Sequence, residues 1–537
     1  MEQQEWEYKN THTVLKEKAE SQGSKVYIES PDQGKNITYE QTYAMCNKIA
    51  NFLKEKGMKV NDTIALISEN SIETLLIYLG VLSYGAIVCP INVEESKENV
   101  YHLLNRAKPR IVVHGKELTF DQERYKADFW IPFADFDVDS GQENEFFSML
   151  KHYSPEFDSP LGTEDDVAEL IFTSGTTAIP KGVAVSRQAL YYQPLDTVDR
   201  LKIIEQDVIL DYRAYSWNSP QILSILPSLY VGATLVFAKK FSRTRFPSWL
   251  KDNNVTVCVG VPAVFNILLE QKVPLHKRDV PSLRFMTSST APLLVKNQLR
   301  FEEEYGIPIN QGAGSSETGW MGMNDPEKRR LGSIGPPPRF KEVLILDKHG
   351  NKLPNGQEGE LVIRGKSLGL GYIGPEGEIN KFPEDGFHTG DLGYIDSDGY
   401  LYITGRKKDI IIRGGVNISP MEITSWLMEH PAVQEAVTIG VPDKVRGEEV
   451  ASFIVPKEGE TIDEEAIIEH CKKKLPDFKI PKTIHFLKEI PKTERAKLSK
   501  PGLLKIWEAK QGKSAEGGVI SYTDERKKIE RSKPTGG

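Results

Sequence analysis

Residues 171–182, IFTSGTTAIPKG, set Thr173, Ser174, Thr176 and Thr177, the glycines Gly175 and Gly182, and Lys181 directly after an apolar run. Hydroxyls, backbone N–H groups around a glycine and an ammonium are the groups that wrap phosphate oxygens. The distance from Gly175 to Lys181 matches the Walker A pattern, GxxxxGK[ST]. The residue before the lysine is Pro180, however, and the one after it is Gly182. The glycine that lets backbone approach phosphate is missing, and so is the hydroxyl that would hold magnesium. A P-loop nucleoside triphosphatase is thereby excluded. Two readings are left: an anion-binding loop of another kind, or a Ser/Thr-rich surface turn.

Four more stretches carry chemistry-bearing residues. INQGAGSSETG, 309–319, places Ser316 and Glu317 after a glycine-rich run. A lone SSE is commonly a helix cap, but a carboxylate there also suits a hard cation, which prefers oxygen ligands and takes few from protein. Residues 387–423, FHTGDLGYIDSDGYLYITGRKKDIIIRGGVNISPMEI, hold Asp391, Arg406, Lys408, Gly414 and Gly415. Read blandly, they are a hairpin turn and an exposed charge run. Residues 490–504, IPKTERAKLSKPGLL, include Lys497, one of 68 Lys and Arg residues, most of them solvated. SSTAPLL, 288–294, contains Ser289, Thr290 and Ala291.

Taken in order, these five motifs resemble the adenylate-forming superfamily: acyl- and aryl-CoA synthetases, luciferases and the adenylation domains of peptide synthetases. The family loop reads roughly [ST]SGTTGxPKG against TSGTTAIPKG here, with Ala178 the one departure. The family's QGYGxTE is matched at Gln311, Gly312, Gly314 and Glu317. Ser316 keeps the hydroxyl, and Ala313 stands where a tyrosine usually packs on adenine. The family's TGD and GRxKDxIxxxGxxIxPxEIE match residues 389–423 almost throughout, and Thr424 replaces the closing glutamate. PKTxxGKIxRxxL is matched with Ala496 and Lys500 as departures, and GGAPL with Ser289 and Thr290 in place of its glycines. The resemblance runs from about residue 35 to residue 503.

The resemblance implies a carboxylate–CoA ligase. Such an enzyme joins ATP and a carboxylic acid into an acyl-AMP with loss of pyrophosphate, then passes the acyl group to coenzyme A. It further implies residue roles. Lys497 is the catalytic lysine, with Glu317 on the Mg²⁺ side and Ser316 beside it. Thr173, Ser174, Gly175, Thr176, Thr177 and Lys181 hold the β- and γ-phosphates. Ser289, Thr290, Ala291, Gln311, Gly312 and Ala313 line the adenine side. Asp391 accepts the ribose hydroxyls, and Arg406 reaches ribose or phosphate. Lys408 is the hinge at which the small domain swivels, and Gly414 and Gly415 line a pantetheine tunnel. The acid is expected against Tyr215, Trp217, Gly260, Ala263 and Trp320. Tyr215 and Trp217 would be flat apolar walls, while Arg213 either meets a second anionic group or lies at the surface. The acid stays open between aromatic, alicyclic and small polar kinds.

Two alternatives compete. The acceptor can be a carrier protein rather than free coenzyme A, since Lys444 and Arg446 would suit the phosphates of either. The departures at Ala178, Ala313 and Ala496 also suit a binding protein on a degenerate scaffold. None of them removes a charge, however, and Asp391, Arg406, Glu317 and Lys497 all remain.

The elements needed to position these groups are legible. Residues 39–56 read as an amphipathic helix, 63–68 as a buried strand, and 72–84 as a helix leading through Gly85 into the strand AIVCP. LSILPSLYVGATLVF, 223–237, repeats helix, glycine and strand, and VTVCVGVP, 255–262, reads as one more central strand. After about residue 335, turn signals such as DKHGN and DSDG separate alternating strands. The fold class is therefore α/β. The large N-terminal adenylation domain, 1–407, has βα-layered subdomains and an antiparallel β subdomain at about 335–407. A small α+β domain, 408–510, follows, with helices expected in MEITSWLMEH and EEAIIEHCKKKL; the resemblance implies that it is a mobile lid, and a polar, disordered tail, 511–537, is expected after it.

Composition sets wide limits. The 537 residues suggest three or four domains or subdomains at roughly 100–200 residues each. With 39% hydrophobic and 27% charged residues, the chain can bury a core. With a formal charge of −8 and no dominant basic block except at the extreme C-terminus, nothing favours a nucleic-acid partner, and none is expected. Four cysteines lie far apart with no CxxC, which excludes a zinc knuckle and suits reduced thiols in a cytoplasmic protein. The opening MEQQEWEYKN lacks a signal peptide's basic start and apolar core. Residues 75–91 are punctuated by Gly80, Gly85 and Pro90, so no membrane span is expected. The expected partners are a small carboxylic acid, ATP and coenzyme A, with a carrier protein or a homodimer left open.

Overall fold

The computed structural model describes residues 6–135, 145–173, 180–492 and 498–511. Two eight-stranded sheets dominate. The first runs Ile379–Lys381, Gly371–Ile373, Lys181–Ser186, Val167–Thr173, Ile87–Ile91, Thr63–Ile67, Ile111–Gly115 and Phe129–Phe133. Its last five strands are parallel, whereas its first three and Val167–Thr173 pair antiparallel. The second runs Gly319–Met323, Ile309–Ser315, Phe285–Ser288, Val257–Cys258, Val208–Asp211, Thr234–Phe237, Val26–Ser30 and Lys35–Thr38. It is parallel throughout except for its two outermost pairs.

The helix Ile72–Tyr84 shows why the sheets pack together. Ser71 caps it by accepting from the Thr74 N–H, and Gly85 at φ 99° ends it in the left-handed region that glycine enters without a Cβ clash. Every residue of this helix is buried, as expected of one apolar on all sides. It joins residues of both sheets, among them Tyr27, Ile28, Leu66 and Val88, in one hydrophobic cluster. The helix Tyr39–Glu55 lies against it; Thr38 and Gln41 form its capping box.

The 223–237 phrase is helix, glycine and strand, but its helix begins with a π-turn, Gln221–Ile225. The Leu226 N–H reaches back to the Gln221 carbonyl, and Pro227 then offers no donor. The expected strand at 255–262 shortens to Val257–Cys258, because Pro262 opens the helix Pro262–Glu270. It does sit centrally in its sheet.

A third sheet is antiparallel: Lys341–Leu346, Gly359–Gly365, Phe387–Ile395 and Leu401–Arg406. Gly371–Ile373 and Ile379–Lys381, read from the sequence as part of this β-rich region, instead extend the first eight-stranded sheet. Tyr372 pairs with Val183 there. A smaller α+β lobe follows, with five strands: Val416–Ile418, Ile411–Arg413, Gly447–Pro456, Val433–Asp443 and Thr483–Phe486. The helices Pro420–Met428 and Glu464–Lys472 pack on it through Ile423, Leu427, Ile467 and Cys471. All four cysteines are free and buried. Among the described residues, no helix is long and apolar enough to cross a membrane. The expected tail, 511–537, lies outside the described residues apart from Gln511, the last residue of the helix Lys500–Gln511.

Candidate active site

Thr173 and Lys181 face each other across a hairpin. Val167–Thr173 and Lys181–Ser186 are antiparallel neighbours, and Thr173 is the register partner of Lys181. A Walker A loop joins a strand to a helix; this one joins two strands, which accounts for the pattern failing at Pro180 and Gly182. Ser174, Gly175, Thr176 and Thr177 lie outside the described residues, as does Lys497.

Lys181 is exposed, with its Nζ 5.0 Å from the centre of the Tyr372 ring. The Tyr372 hydroxyl donates to Glu317 Oε1 at 2.7 Å. Glu317 and Ser316 follow the strand Ile309–Ser315, where Gln311 Nε2 donates to the Leu293 carbonyl at 3.1 Å. Gly312 is packed so closely that an added Cβ would lie 3.1 Å from the Gly322 carbonyl. Ala313 packs with Met321 and the apolar face of the third sheet.

Asp391 is mostly buried, and Arg406 Nε donates to its Oδ1 at 2.8 Å. The two are register partners on adjacent strands, so the pairing is built into the sheet. Burial pushes the Asp391 carboxyl up. Arg406 opposes this, and the nearby Glu317 charge adds to it. Lys408 lies in the 3₁₀ turn Lys407–Asp409, where partial burial and the neighbouring Arg406 hold its ammonium low. Lys181, Tyr372 and Glu317 thus make one contact chain and Asp391 and Arg406 a pair, with the charges of Glu317 and Lys408 acting on Asp391.

Ser289 and Thr290 follow the strand Phe285–Ser288 directly. Thr290 has φ 74°, a left-handed conformation that costs an L-residue about 1–2 kcal/mol, and it stands where the resembling family has glycine. Ala291 is exposed. The hydroxyls of Ser288 and Ser289 are buried, with no hydrogen-bond partner among the described residues. Gly414 and Gly415, at φ 58° and 86°, make the two-residue turn between Ile411–Arg413 and Val416–Ile418, and open space surrounds both Cα atoms.

Several residues expected around the acid do not line an open surface. Tyr215 is only 1% exposed and donates to the Leu66 carbonyl at 2.6 Å, so its ring belongs to the core. Trp320 is buried in a cluster with Val198 and Ile222, its indole N–H donating to Thr197 Oγ1 at 2.8 Å. Arg213 is neither at the surface nor free for a second anion. It is buried, with Nε and Nη2 on the two oxygens of Asp211 at 3.0 and 2.7 Å. Trp217 is 46% exposed and Ala263 is exposed at the start of its helix. Gly260 is packed tightly; a Cβ there would lie 2.7 Å from the Thr287 carbonyl.

The sequence reading missed Tyr372, although GY inside an alternating apolar run was its visible signal. It also missed the buried pair Asp196–Lys341, 3.4 Å apart, whose lysine donates at 2.6 Å to the carbonyl of Thr318, the residue after Glu317. Charged residues far apart in the chain give no local sign of such a pair.

Magnesium is the cation this family resemblance implies. The Glu317 carboxylate is half-buried and pairs with no lysine or arginine among the described residues, so its charge is left for a cation. A single carboxylate suits an ion that keeps most of its water and binds phosphate oxygens. No cluster of three or more metal-ligating side chains occurs among the described residues.

The α/β body of two mixed sheets, a β-rich region and a small α+β lobe is the setting of these charges, and the family matches define the class: an enzyme that activates acids with a nucleotide. The chain belongs to the AMP-binding enzyme family, whose model matches residues 15–373, while the AMP-binding enzyme C-terminal domain matches 422–497. It is 32% identical to oxalate–CoA ligase of Arabidopsis thaliana over 87% of this chain and 92% of that protein. It is 30% identical to sulfoacetate–CoA ligase of Cupriavidus necator over 89% and 94%. Among solved structures, ATP-bound MatB of Rhodopseudomonas palustris superposes with a TM-score of 0.82 at 27% identity, over 93% of this chain and 99% of that one.

Proposed function

We propose that the chain is a carboxylate–CoA ligase that uses ATP, Mg²⁺ and coenzyme A. The observation that carries this reading is that Lys181 and Glu317 meet through Tyr372 and that the Glu317 charge acts on the Asp391–Arg406 pair. The first two suit a triphosphate and its cation, the last two a ribose and its phosphate.

A carboxylate is a poor acyl donor because its leaving group would be oxide. In the first step a carboxylate oxygen bonds to the α-phosphorus, the bond to the β-phosphate oxygen breaks, and pyrophosphate departs with the electron pair. Positioning and charge neutralisation dominate such a reaction. Residues 173–181 hold the β- and γ-phosphates, Asp391 accepts the ribose hydroxyls, and Arg406 lies beside it. Lys497 meets the charge that accumulates between carboxylate and α-phosphate. Glu317 would hold magnesium, which would supply neutralisation of phosphate charge. In the second step the thiolate sulfur bonds to the acyl carbon and AMP leaves. The chain divides into a large domain, 1–407, with its β-rich part at about 335–407, a lid, 408–510, and a tail, 511–537. The lid swivels at Lys408, and the Gly414–Gly415 turn lets the pantetheine arm pass close to backbone. The acid packs against Trp217, with Gly260 and Ala263 nearby. Relatives named for oxalate and sulfoacetate make small acids with a second anionic group the first to test.

Pyrophosphate exchange across a panel of small, alicyclic and aryl acids tests the reading, since it reports adenylation without the thiol. Lys497→Ala is expected to abolish exchange and leave ATP binding in place; unchanged exchange refutes the assignment. AMP release with free coenzyme A, compared with a phosphopantetheine-bearing carrier protein, settles the acceptor.

A further inference from the structure

Tyr372 lies in a three-residue strand that joins the first sheet beside the hairpin, opposite Val183 and therefore close to Lys181. Its ring carries two contacts with groups assigned above. The hydroxyl donates to Glu317 Oε1 at 2.7 Å, and Lys181 Nζ stands 5.0 Å from the ring centre. Phe382 buttresses the ring edge-on at 5.2 Å, so the phenol cannot swing freely. The same segment also grips the backbone of Glu317, whose carbonyl accepts from the Gly369 N–H at 2.8 Å. Glu317 is thus held at its carbonyl and its carboxylate by residues only three apart.

We propose that Tyr372 is a positioning residue for adenylation: its hydroxyl orients the Glu317 carboxylate, and its ring face seats Lys181. One carboxylate oxygen accepts the phenol's hydrogen bond, which leaves the other free for a hydrated cation. The ring quadrupole holds the lysine ammonium without neutralising it, so its charge stays available to phosphate. One rigid aromatic therefore sets the separation between the cation side and the phosphate side before ATP arrives. This inference rests on the roles given to Glu317 and Lys181 under Proposed function.

The test is calorimetric titration of the full-length chain with ATP, in magnesium and in EDTA, together with the magnesium dependence of pyrophosphate exchange. A hydrogen bond to a charged group corresponds to roughly tenfold in an equilibrium constant. Tyr372→Phe keeps the ring and loses the hydroxyl. It is expected to weaken binding of magnesium–ATP about tenfold, to raise the magnesium needed for half-maximal exchange, and to leave metal-free ATP binding within about twofold. Tyr372→Leu loses the ring as well, and both forms of ATP should then bind more weakly. Glu317→Gln should reproduce the Tyr372→Phe defect, and the double variant should be no worse than Glu317→Gln alone. If Tyr372→Phe matches wild type while Glu317→Gln is impaired, the tether is refuted and the assignment of Glu317 stands. If Glu317→Gln itself binds magnesium–ATP normally, that assignment falls and the tether with it. Equal weakening of both ATP forms by Tyr372→Phe, with a lowered unfolding midpoint, would make the residue merely structural and overturn the proposal.

Discussion

Glu169 offers a sharp test of the packing behind the site. It lies in the strand Val167–Thr173 that feeds the hairpin, and it is completely buried. Its Oε1 accepts from Gln221 Nε2 at 2.6 Å and its Oε2 from the Tyr78 hydroxyl at 3.3 Å. Gln221 also donates to the Tyr215 carbonyl, so this one carboxyl links the hairpin strand to the segment bearing Trp217. No cation pairs with it among the described residues. Burial pushes its pKa from 4.5 up to about 8, with the Gln221 and Tyr78 hydrogen bonds opposing. Between those values the folded chain keeps a proton that the unfolded chain has lost. Stability is thus fully present below pH 4.5 and falls as pH rises toward about 8. At about 1.36 kcal/mol per pH unit the ceiling of this loss is roughly 5 kcal/mol. Glu169→Gln is similar in shape and does not titrate. In urea unfolding at pH 5, 6, 7, 8 and 9, the variant should gain on wild type progressively, by several kcal/mol across the series. Any constant offset from the exchanged hydrogen bond leaves that slope untouched. Parallel curves for the two proteins would refute a carboxyl that folds protonated.

Three further outcomes are expected. Thr290→Gly should raise stability by roughly 1 kcal/mol in chemical denaturation, since glycine relieves the left-handed φ of 74°. Lys341→Met strands the buried Asp196 carboxylate and should cost about 3–5 kcal/mol in the same assay; pairing it with Asp196→Asn should recover part of that loss. Trp217→Ala, at a half-exposed position, should change the KM for the acid while shifting the thermal midpoint by no more than about 2 °C.

Much of this architecture was readable from local pattern. The helix Ile72–Tyr84 begins at a capping serine and ends at a glycine, and an apolar run fills the space between, so its bounds follow from the chain itself. The turns after residue 335 were equally plain. Chain pattern alone could not assign sheets: Gly371–Ile373 looks like its antiparallel neighbours in sequence but adds to the edge beside Lys181–Ser186. Nor could it separate aromatic residues by fate. Tyr215, Trp217 and Trp320 read alike, yet two bury their polar atoms against Leu66 and Thr197 while the third faces solvent.

The division has a physical basis. Caps, turns and hydrophobic periodicity are interactions among residues within a few positions of one another, so the string of residues determines them by itself, and the motif order was enough to expose the family. Arg213 on Asp211 inside the protein, Lys341 on Asp196, Glu169 without a cation and Tyr372 between Lys181 and Glu317 depend on which surfaces meet and how much water they exclude. Desolvation and long-range packing are properties of the folded whole. Only the tertiary structure decided which charges were spent on holding the protein together and which were left to act on a substrate.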